Sequence, residues 1–287
     1  MDKIPVRHIS GIVKEPEFSG NFSMRKIEEI LSGGTFIQEL HRHSFYFILI
    51  INQGSGEHVI DFNPYPVVPG SVFFMRPGQV HRLKLEHNTT GYLIQFNNEF
   101  YNPQEKPARD ILNHLGNRTY CKLNHSRFLA TFTILQCIYE ESVVKDPLHQ
   151  QAIQSWLDLL LIDLFRQGCN CGNCNQNRGD YAYRKLEELL SLVNTHLAEH
   201  KQVNFYAGKM NLTPYQLNAV TKTTVGKTFT GLVTDTIILE AKRQLLATSN
   251  QINHIALDLG YEDVSYFIRF FKKHTGHSPE AFRNNFK

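Results

Sequence analysis

Two periodicities divide the chain. As far as about residue 100, apolar residues come in short, strand-sized runs. Phe45 to Ile51 and Ser71 to Met75 are dense in β-branched and aromatic side chains. Turn signals separate the runs: Gln53-Gly54-Ser55-Gly56, Asn63-Pro64, Pro69-Gly70 and Pro77-Gly78. No long helical pattern alternates with them, so they predict a small antiparallel barrel or sandwich rather than a parallel sheet. Residues 1 to 23 read as a mixed leader with at most one edge strand.

Past Asn102-Pro103 the period lengthens. Phe128 to Val144 and Leu148 to Arg166 predict two amphipathic helices. The second carries Ile153, Trp156, Leu157, Leu160, Leu161, Leu164 and Phe165, a stripe that needs a partner: the barrel, the first helix or a second copy of the chain. Gln167 to Asp180 is polar, rich in Gly and Asn and empty of aliphatics, which predicts an interdomain linker. From Tyr181 onward the pattern is helical. The expected plan is a β-rich domain with a helical extension (1–167), a linker (168–180) and an all-helical domain (181–287).

The sharpest local pattern lies near the end. Ile252, Ile255, Ala256 and Leu259 make a short apolar helix that runs into Gly260. Tyr261-Glu262-Asp263 turns, and Val264, Phe267, Phe270 and Phe271 then recur at helical spacing. That is a helix–turn–helix, with glycine where the chain reverses tightly. The second helix leaves Ser265, Ile268 and Arg269 on another face, with Lys272 and Lys273 near its end. Small or polar tips for base edges and cations for phosphates are what a major-groove reader needs. The same spacing also fits an ordinary hairpin packing a core. Ser278 and Pro279 are placed to cap and begin a last short helix.

A second copy lies upstream. Ala207 corresponds to Ala256 and Leu217 to Phe267. Thr213 is set to cap a helix that has Pro214 at its first position. Tyr215, Asn218 and Ala219 fall on one exposed face, with Leu217 and Val220 inward. Between the copies, Phe229 to Leu246 includes a strong helix, Ile237 to Leu246, suited to holding two units at fixed separation. Two such helices would enter successive major grooves, about 34 Å apart.

Composition changes this picture little. A hydrophobic share of 41% and a charged share of 20% describe a globular chain. No apolar run approaches the ~20 residues of a membrane span. Asp2, Lys3 and Pro5 interrupt any apolar signal segment, so export is not expected and a cytoplasmic protein is. Five cysteines (Cys121, Cys137, Cys169, Cys171 and Cys174) imply no disulfide framework. Lys and Arg outnumber Asp and Glu 13 to 9 across 181–287, and trail 17 to 18 across 1–180. The basic surplus therefore sits with the helix–turn–helix units, though it is modest evidence for nucleic acid.

Taken together, Ala207, Leu212 to Leu217, Leu239 to Leu246, Ile255-Ala256, Gly260-Tyr261, Phe267, Arg269, Phe271-Lys272, Gly276 and Ser278-Pro279 resemble the DNA-binding domain of the AraC/XylS family of transcription regulators. The resemblance spans about a third of the chain. It implies base contacts from Tyr215, Asn218 and Ala219 and from Ser265, Ile268 and Arg269, with Gln216 also among the DNA-binding residues. Lys222, Lys227, Lys272 and Lys273 are the candidate phosphate contacts. The chain departs from the family in its first unit: Ala219 stands where a long polar or basic side chain is frequent, and Thr221 where an aromatic is usual. The first helix is therefore expected mainly to position the module through phosphates.

His41-Arg42-His43 and Pro77-Gly78-Gln79-Val80-His81 resemble the two motifs of a cupin barrel, and the stretch from Gly56 to His81 looks like the sensor half of AraC-type regulators. Three imidazoles suit Zn²⁺ or a similar ion. Enzymatic cupins usually add a Glu a few residues after the second His, and here Phe47 and Ile48 occupy those positions. The expectation is therefore a small-molecule pocket at the barrel mouth, lined by His41, Arg42, His43, Tyr46, Arg76 and His81 with Tyr92 nearby, and no metal, cofactor or catalysis. Cys169, Cys171 and Cys174 would suit a soft metal or an oxidation sensor, or are incidental to a variable linker. No G-x-S-x-G, G-x-x-x-x-G-K-[ST] or H-E-x-x-H motif occurs.

The predicted architecture is α+β: a cupin-like antiparallel barrel with a helical extension, then an all-α double helix–turn–helix. The predicted function is sequence-specific transcription regulation, on balance activation, controlled by a small effector in the barrel. The expected partners are double-stranded DNA, that effector, RNA polymerase and a second copy of the chain, with no membrane. The alternatives are a metal-dependent cupin enzyme fused to a helical domain, and a ligand-independent dimeric regulator.

Overall fold

The computed structural model describes residues 6–7, 21–123, 125–167 and 181–285. These fall into two compact units, one ending at Gln167 and the other beginning at Tyr181. The proposed linker, with Cys169, Cys171 and Cys174, lies outside the described residues.

The first unit runs β1 (Val6–Arg7), β2 (Phe22–Lys26), α1 (Ile27–Leu31), β3 (Phe36–His43), β4 (Tyr46–Gln53), β5 (Gly56–Ile60), β6 (Asn63–Val67), β7 (Ser71–Met75), β8 (Val80–Leu85), β9 (Thr90–Phe96), α2 (Lys106–Gly116), β10 (Tyr120–Lys122), α3 (Phe128–Val144) and α4 (His149–Gln167). Two five-stranded sheets form, in the orders β1-β3-β8-β5-β6 and β10-β7-β4-β9-β2. The pairings are antiparallel except β1 with β3, which is parallel, a departure from the wholly antiparallel expectation.

One core lies between the sheets: Phe47, Leu49 and Ile51 of β4 and Phe73 and Met75 of β7 cluster with Ile60, Leu83 and Leu85. A second covers the other face of β4, where Ile48 and Ile50 meet Leu112 and Leu115 of α2, Leu135 and Ile138 of α3, and Leu157, Leu160 and Leu161 of α4. Strand β4 is thus buried on both faces, which explains why its sequence is an unbroken apolar run with no alternation. Helices α2, α3 and the sheet are the partners that the α4 stripe required. Helices α1 and α2 are not among the predicted elements; α1, at five residues, is too brief to establish a helical period.

The second unit comprises α5 (Tyr181–His196), α6 (Val203–Lys209), α7 (Pro214–Val225), α8 (Phe229–Ala247), α9 (Ile252–Asp258), α10 (Val264–Thr275) and α11 (Pro279–Asn285). The repeat seen in the sequence is carried out at the level of hydrogen bonds. In the first turn the Leu212 amide donates to the Ala207 carbonyl at 2.8 Å; in the second the Tyr261 amide donates to the Ala256 carbonyl at 2.9 Å. Each turn needs one left-handed residue, Asn211 (φ 53°) and Gly260 (φ 71°). Helices α7 and α10 each end on a left-handed glycine, Gly226 and Gly276. Thr228 then caps α8 and Ser278 caps α11, each through its hydroxyl.

Glycine at 260 is required twice over. Its φ is unfavourable for other residues, and a Cβ there would lie 1.7 Å from the carbonyl oxygen of Ala198. The Lys201 ammonium closes the same junction, donating to the carbonyls of Gly260 (2.9 Å) and Ala198 (3.2 Å) and lying 4.8 Å from the centre of the Tyr261 ring. The chain after α5 is thereby locked against the second turn.

Candidate DNA interface and histidine cluster

Helix α10 presents two contrasting faces. Phe267 and Phe271 are fully buried, while Ser265, Arg269, Lys272 and Lys273 are exposed and Ile268 is half-buried. Asp263 starts the helix by accepting from the Tyr266 amide. Arg269 lies 3.9 Å from Asp263 with both side chains largely in solvent, a pairing worth ~1 kcal/mol at most and easily given up to another acceptor. Tyr266, which the sequence reading passed over, is also exposed beside Ser265. No periodicity distinguishes it, because an aromatic in such a helix ordinarily faces the core.

Helix α7 has the same backbone, but its polar side chains are occupied. Gln216 closes a capping box: its Oε1 accepts from the Thr213 amide at 2.8 Å, while the Thr213 hydroxyl oxygen accepts from the Gln216 amide. Asn218 is half-buried. Its Nδ2 donates to the Pro214 carbonyl, and its Oδ1 accepts from the amide of Phe229, the first residue of α8, at 3.0 Å. Both residues are expected on the DNA-binding surface, Asn218 as a base contact, and in the structure both side chains help to hold the unit together. Tyr215, 84% exposed, and the exposed Ala219, Lys222 and Lys227 remain on the outer surface, with Lys227 paired to Asp235. Thr221 is buried with its hydroxyl donating to the Asn218 carbonyl, which is why a small residue fits there.

In the first unit the six expected ligand-binding residues do not form one pocket. His41, His43 and His81 come together, yet between the sheets and fully buried rather than at a mouth. Cross-strand register does this: His41 sits opposite His81 on β3 and β8, and His43 is two residues along on the same face. Arg42 alternates to the other face of β3. Tyr46 lies on the helix-covered side of β4, stacked on Phe96 with centroids 5.1 Å apart. Burial pushes the Tyr46 hydroxyl above the usual tyrosine range, with the cationic Arg76 pulling the other way. Arg76 itself donates to Asn117 at 3.2 Å, and Tyr92 joins the same helix-side cluster.

A fourth histidine, His58 of β5, completes the group. Its Nε2 lies 2.7 Å from Nδ1 of His81. The Nε2 atom of His81 in turn lies 3.0 Å from Nε2 of His41 and 2.7 Å from Nε2 of His43. Burial above all, with a smaller electrostatic contribution from His41, holds the His58 pKa down to about 3, so that ring is neutral at ordinary pH. The alternation Gly56-x-His58-x-Ile60 put His58 on the inner face, but an isolated histidine in a short strand gives no other signal. A cavity of about 720 Å³ opens elsewhere, between the chain after β9 and helices α2 and α4. Tyr101, Ile111, Gln154 and Asp158 are among its walls, and the Tyr101 hydroxyl donates to the Asp158 carboxylate.

Residues 206–285 match the family model described as a helix-turn-helix domain, and residues 22–103 the one described as an AraC-like ligand binding domain. The chain is 26% identical over 250 residues to the HTH-type transcriptional activator RhaS of Yersinia pestis (strain Pestoides F), covering 85% of this chain and 88% of that protein. It is 24% identical over 264 residues to the HTH-type transcriptional activator RhaR of Yersinia pseudotuberculosis serotype O:1b (strain IP 31758), covering 88% and 86%. The crystal structure of ToxT from Vibrio cholerae O395 matches with a TM-score of 0.43 and 12% identity, over 92% of this chain and 97% of that one. A likeness at that level says nothing about ligand or DNA.

Proposed function

We propose a division of labour for this chain, which belongs to the AraC/XylS family of transcription regulators and binds DNA: the second helix–turn–helix reads bases and the first sets the module on the backbone. One observation carries this reading. On α10 the side chains Ser265 and Arg269 are exposed and uncommitted to caps, whereas on α7 Gln216 and Asn218 are spent internally. Arginine in a major groove takes a guanine edge through two parallel hydrogen bonds, and Lys272 and Lys273 a turn further on suit phosphates. From α7, Tyr215, Ala219 and Lys222 supply shape, a close approach and a cation.

Regulation is assigned to the N-terminal unit, through a small-molecule effector that binds its two states with different affinity. The cavity beside α2 and α4 has the volume of a small-molecule site and is proposed as the effector's seat in place of the barrel mouth. Activation is the sign proposed, since the RhaS and RhaR relatives are named transcriptional activators. Work as a homodimer, contact with RNA polymerase and a place in the cytoplasm, alongside the DNA, belong to the same proposal.

The test is capture of genomic DNA fragments by the purified full-length protein at two salt concentrations. Recovery of a short two-block motif that survives the higher salt supports sequence-specific reading. Recovery of only sequence-blind fragments that vanish with added salt overturns it, because phosphate contacts alone give that behaviour.

A further inference from the structure

The buried histidines are arranged as metal ligands. The ligand atoms of His41, His43 and His81 all lie within 4.8 Å of one another, on rings between 0% and 3% exposed. The two outer nitrogens whose partners are described are both engaged. Nδ1 of His41 is 2.7 Å from the carbonyl oxygen of Glu39. A carbonyl only accepts, so that nitrogen carries the proton, and the Nε2 of the neutral ring turns a lone pair inward. Nδ1 of His81 is held at 2.7 Å by His58. A histidine that ligates a metal characteristically has its other ring nitrogen fixed in this way.

The inner ends are left over-supplied. Three Nε2 atoms converge, and a single N–H on His81 can point at only one of the other two, at 3.0 or 2.7 Å. An ion about 2.0–2.1 Å from each nitrogen, in tetrahedral geometry, would sit among nitrogens about 3.3 Å apart. The donor set is all imidazole: the group contains no carboxylate, and Phe47 packs its ring against His43 (5.4 Å), His58 (5.9 Å) and His81 (5.2 Å). Imidazole alone suits Zn²⁺ and its transition-metal neighbours and rejects Mg²⁺ and Ca²⁺, which want oxygen.

We propose that the space between the sheets holds one borderline divalent transition-metal ion, Zn²⁺ being the type case, on Nε2 of His41, His43 and His81, with His58 as the positioning residue behind His81. Three neutral ligands leave the ion's charge uncompensated in an apolar interior, so the fourth ligand comes from outside the protein and is anionic, hydroxide included. The ion ties β3 to β8. This inference does not depend on how the chain reads DNA, and its readout is metal binding alone.

The experiment is calorimetric titration of the full-length protein, stripped with a chelator and dialysed, using ZnCl₂ and in parallel MgCl₂. Cys169, Cys171 and Cys174 also suit zinc, so the triple Cys→Ser variant is titrated beside the natural chain. The expected result is one Zn²⁺ per chain in both proteins, no saturable Mg²⁺ binding, and a higher melting temperature with zinc. Co²⁺ in the triple variant should show ligand-field bands in the visible. His81→Gln should abolish binding. His58→Gln, which keeps all three ligands, should weaken binding 10- to 100-fold while leaving one ion per chain. Circular dichroism establishes that each variant is folded, and if His81→Gln is not, the His58→Gln measurement decides. Absence of saturable zinc binding in the folded triple variant would overturn the proposal, as would unchanged affinity in a folded His81→Gln or His58→Gln variant, or magnesium binding as well as zinc.

Discussion

The two helix–turn–helix units share a backbone plan and divide at a single amide. In the first, α8 begins with Phe229, whose N–H is buried and needs an acceptor, and Asn218 supplies it. In the second, α11 begins with Pro279, which has no N–H to satisfy, and the position matching Asn218 is Ile268. The capping differs in the same sense. Gln216 is drawn into a box with Thr213, whereas Asp263 caps α10 with one carboxylate oxygen and leaves the other 3.9 Å from the exposed Arg269, a pairing that is easily given up. Equivalent positions in the two units therefore do different work. A side chain on the outer turn of a helix is available to a ligand only if the backbone nearby has no claim on it.

The largest expected effect tests whether the turns are equivalent. Gly260→Ala should cost more than ~2 kcal/mol in denaturant unfolding, because it combines a left-handed φ with a contact that only backbone movement can relieve. Asn211→Gly, at the matching position, should change stability by less than ~1 kcal/mol. Equal effects would break the comparison at its root. Next, Arg269→Ala should weaken binding to the cognate site by ~1–3 kcal/mol and relax preference at one base pair in a binding selection, with the melting curve unchanged. Asn218→Ala should do the reverse: a loss of ~1–2 kcal/mol in stability from the unpaired Phe229 amide, with the preferred sequence unaltered. Gln216→Ala should behave likewise at ~1 kcal/mol. If either variant shifts base preference, α7 reads bases after all. The smallest effect is that of Lys272→Ala, which should weaken all sequences about equally and lower the salt slope by about one.

Much of this was legible before any coordinates. The bounds of α3, the strand Ser71–Met75, both caps at Thr213 and Ser278 and the buried Phe267 and Phe271 follow from apolar spacing and cap chemistry, which are local. What failed was non-local. Tyr46 and Arg76 were grouped with the histidines because they neighbour them in sequence. Only the two-faced burial of β4, invisible in a run that is apolar on every residue, sends Tyr46 to the other side. His58 was missed because its place beside His81 is set by the pairing of β5 with β8. For Gln216 and Asn218 the sequence leaves two uses open. Their types and spacing were right for DNA, but the competing acceptors and donors were a few residues away, and spacing alone does not rank the two.

Pro279 also bears on how such a protein changes over generations. A duplicated motif usually inherits the same constraints twice, so that altering what it recognises also alters whether it folds. By removing one N–H, the proline separates those two properties in the second copy. On the proposed reading of bases by α10, substitutions at Ile268, and with it at Ser265 and Arg269, are screened mainly by operator recognition. The matching change at Asn218 is screened first by folding. New operator preferences should therefore accumulate on α10, while α7 stays nearly fixed as the frame against which they are tried.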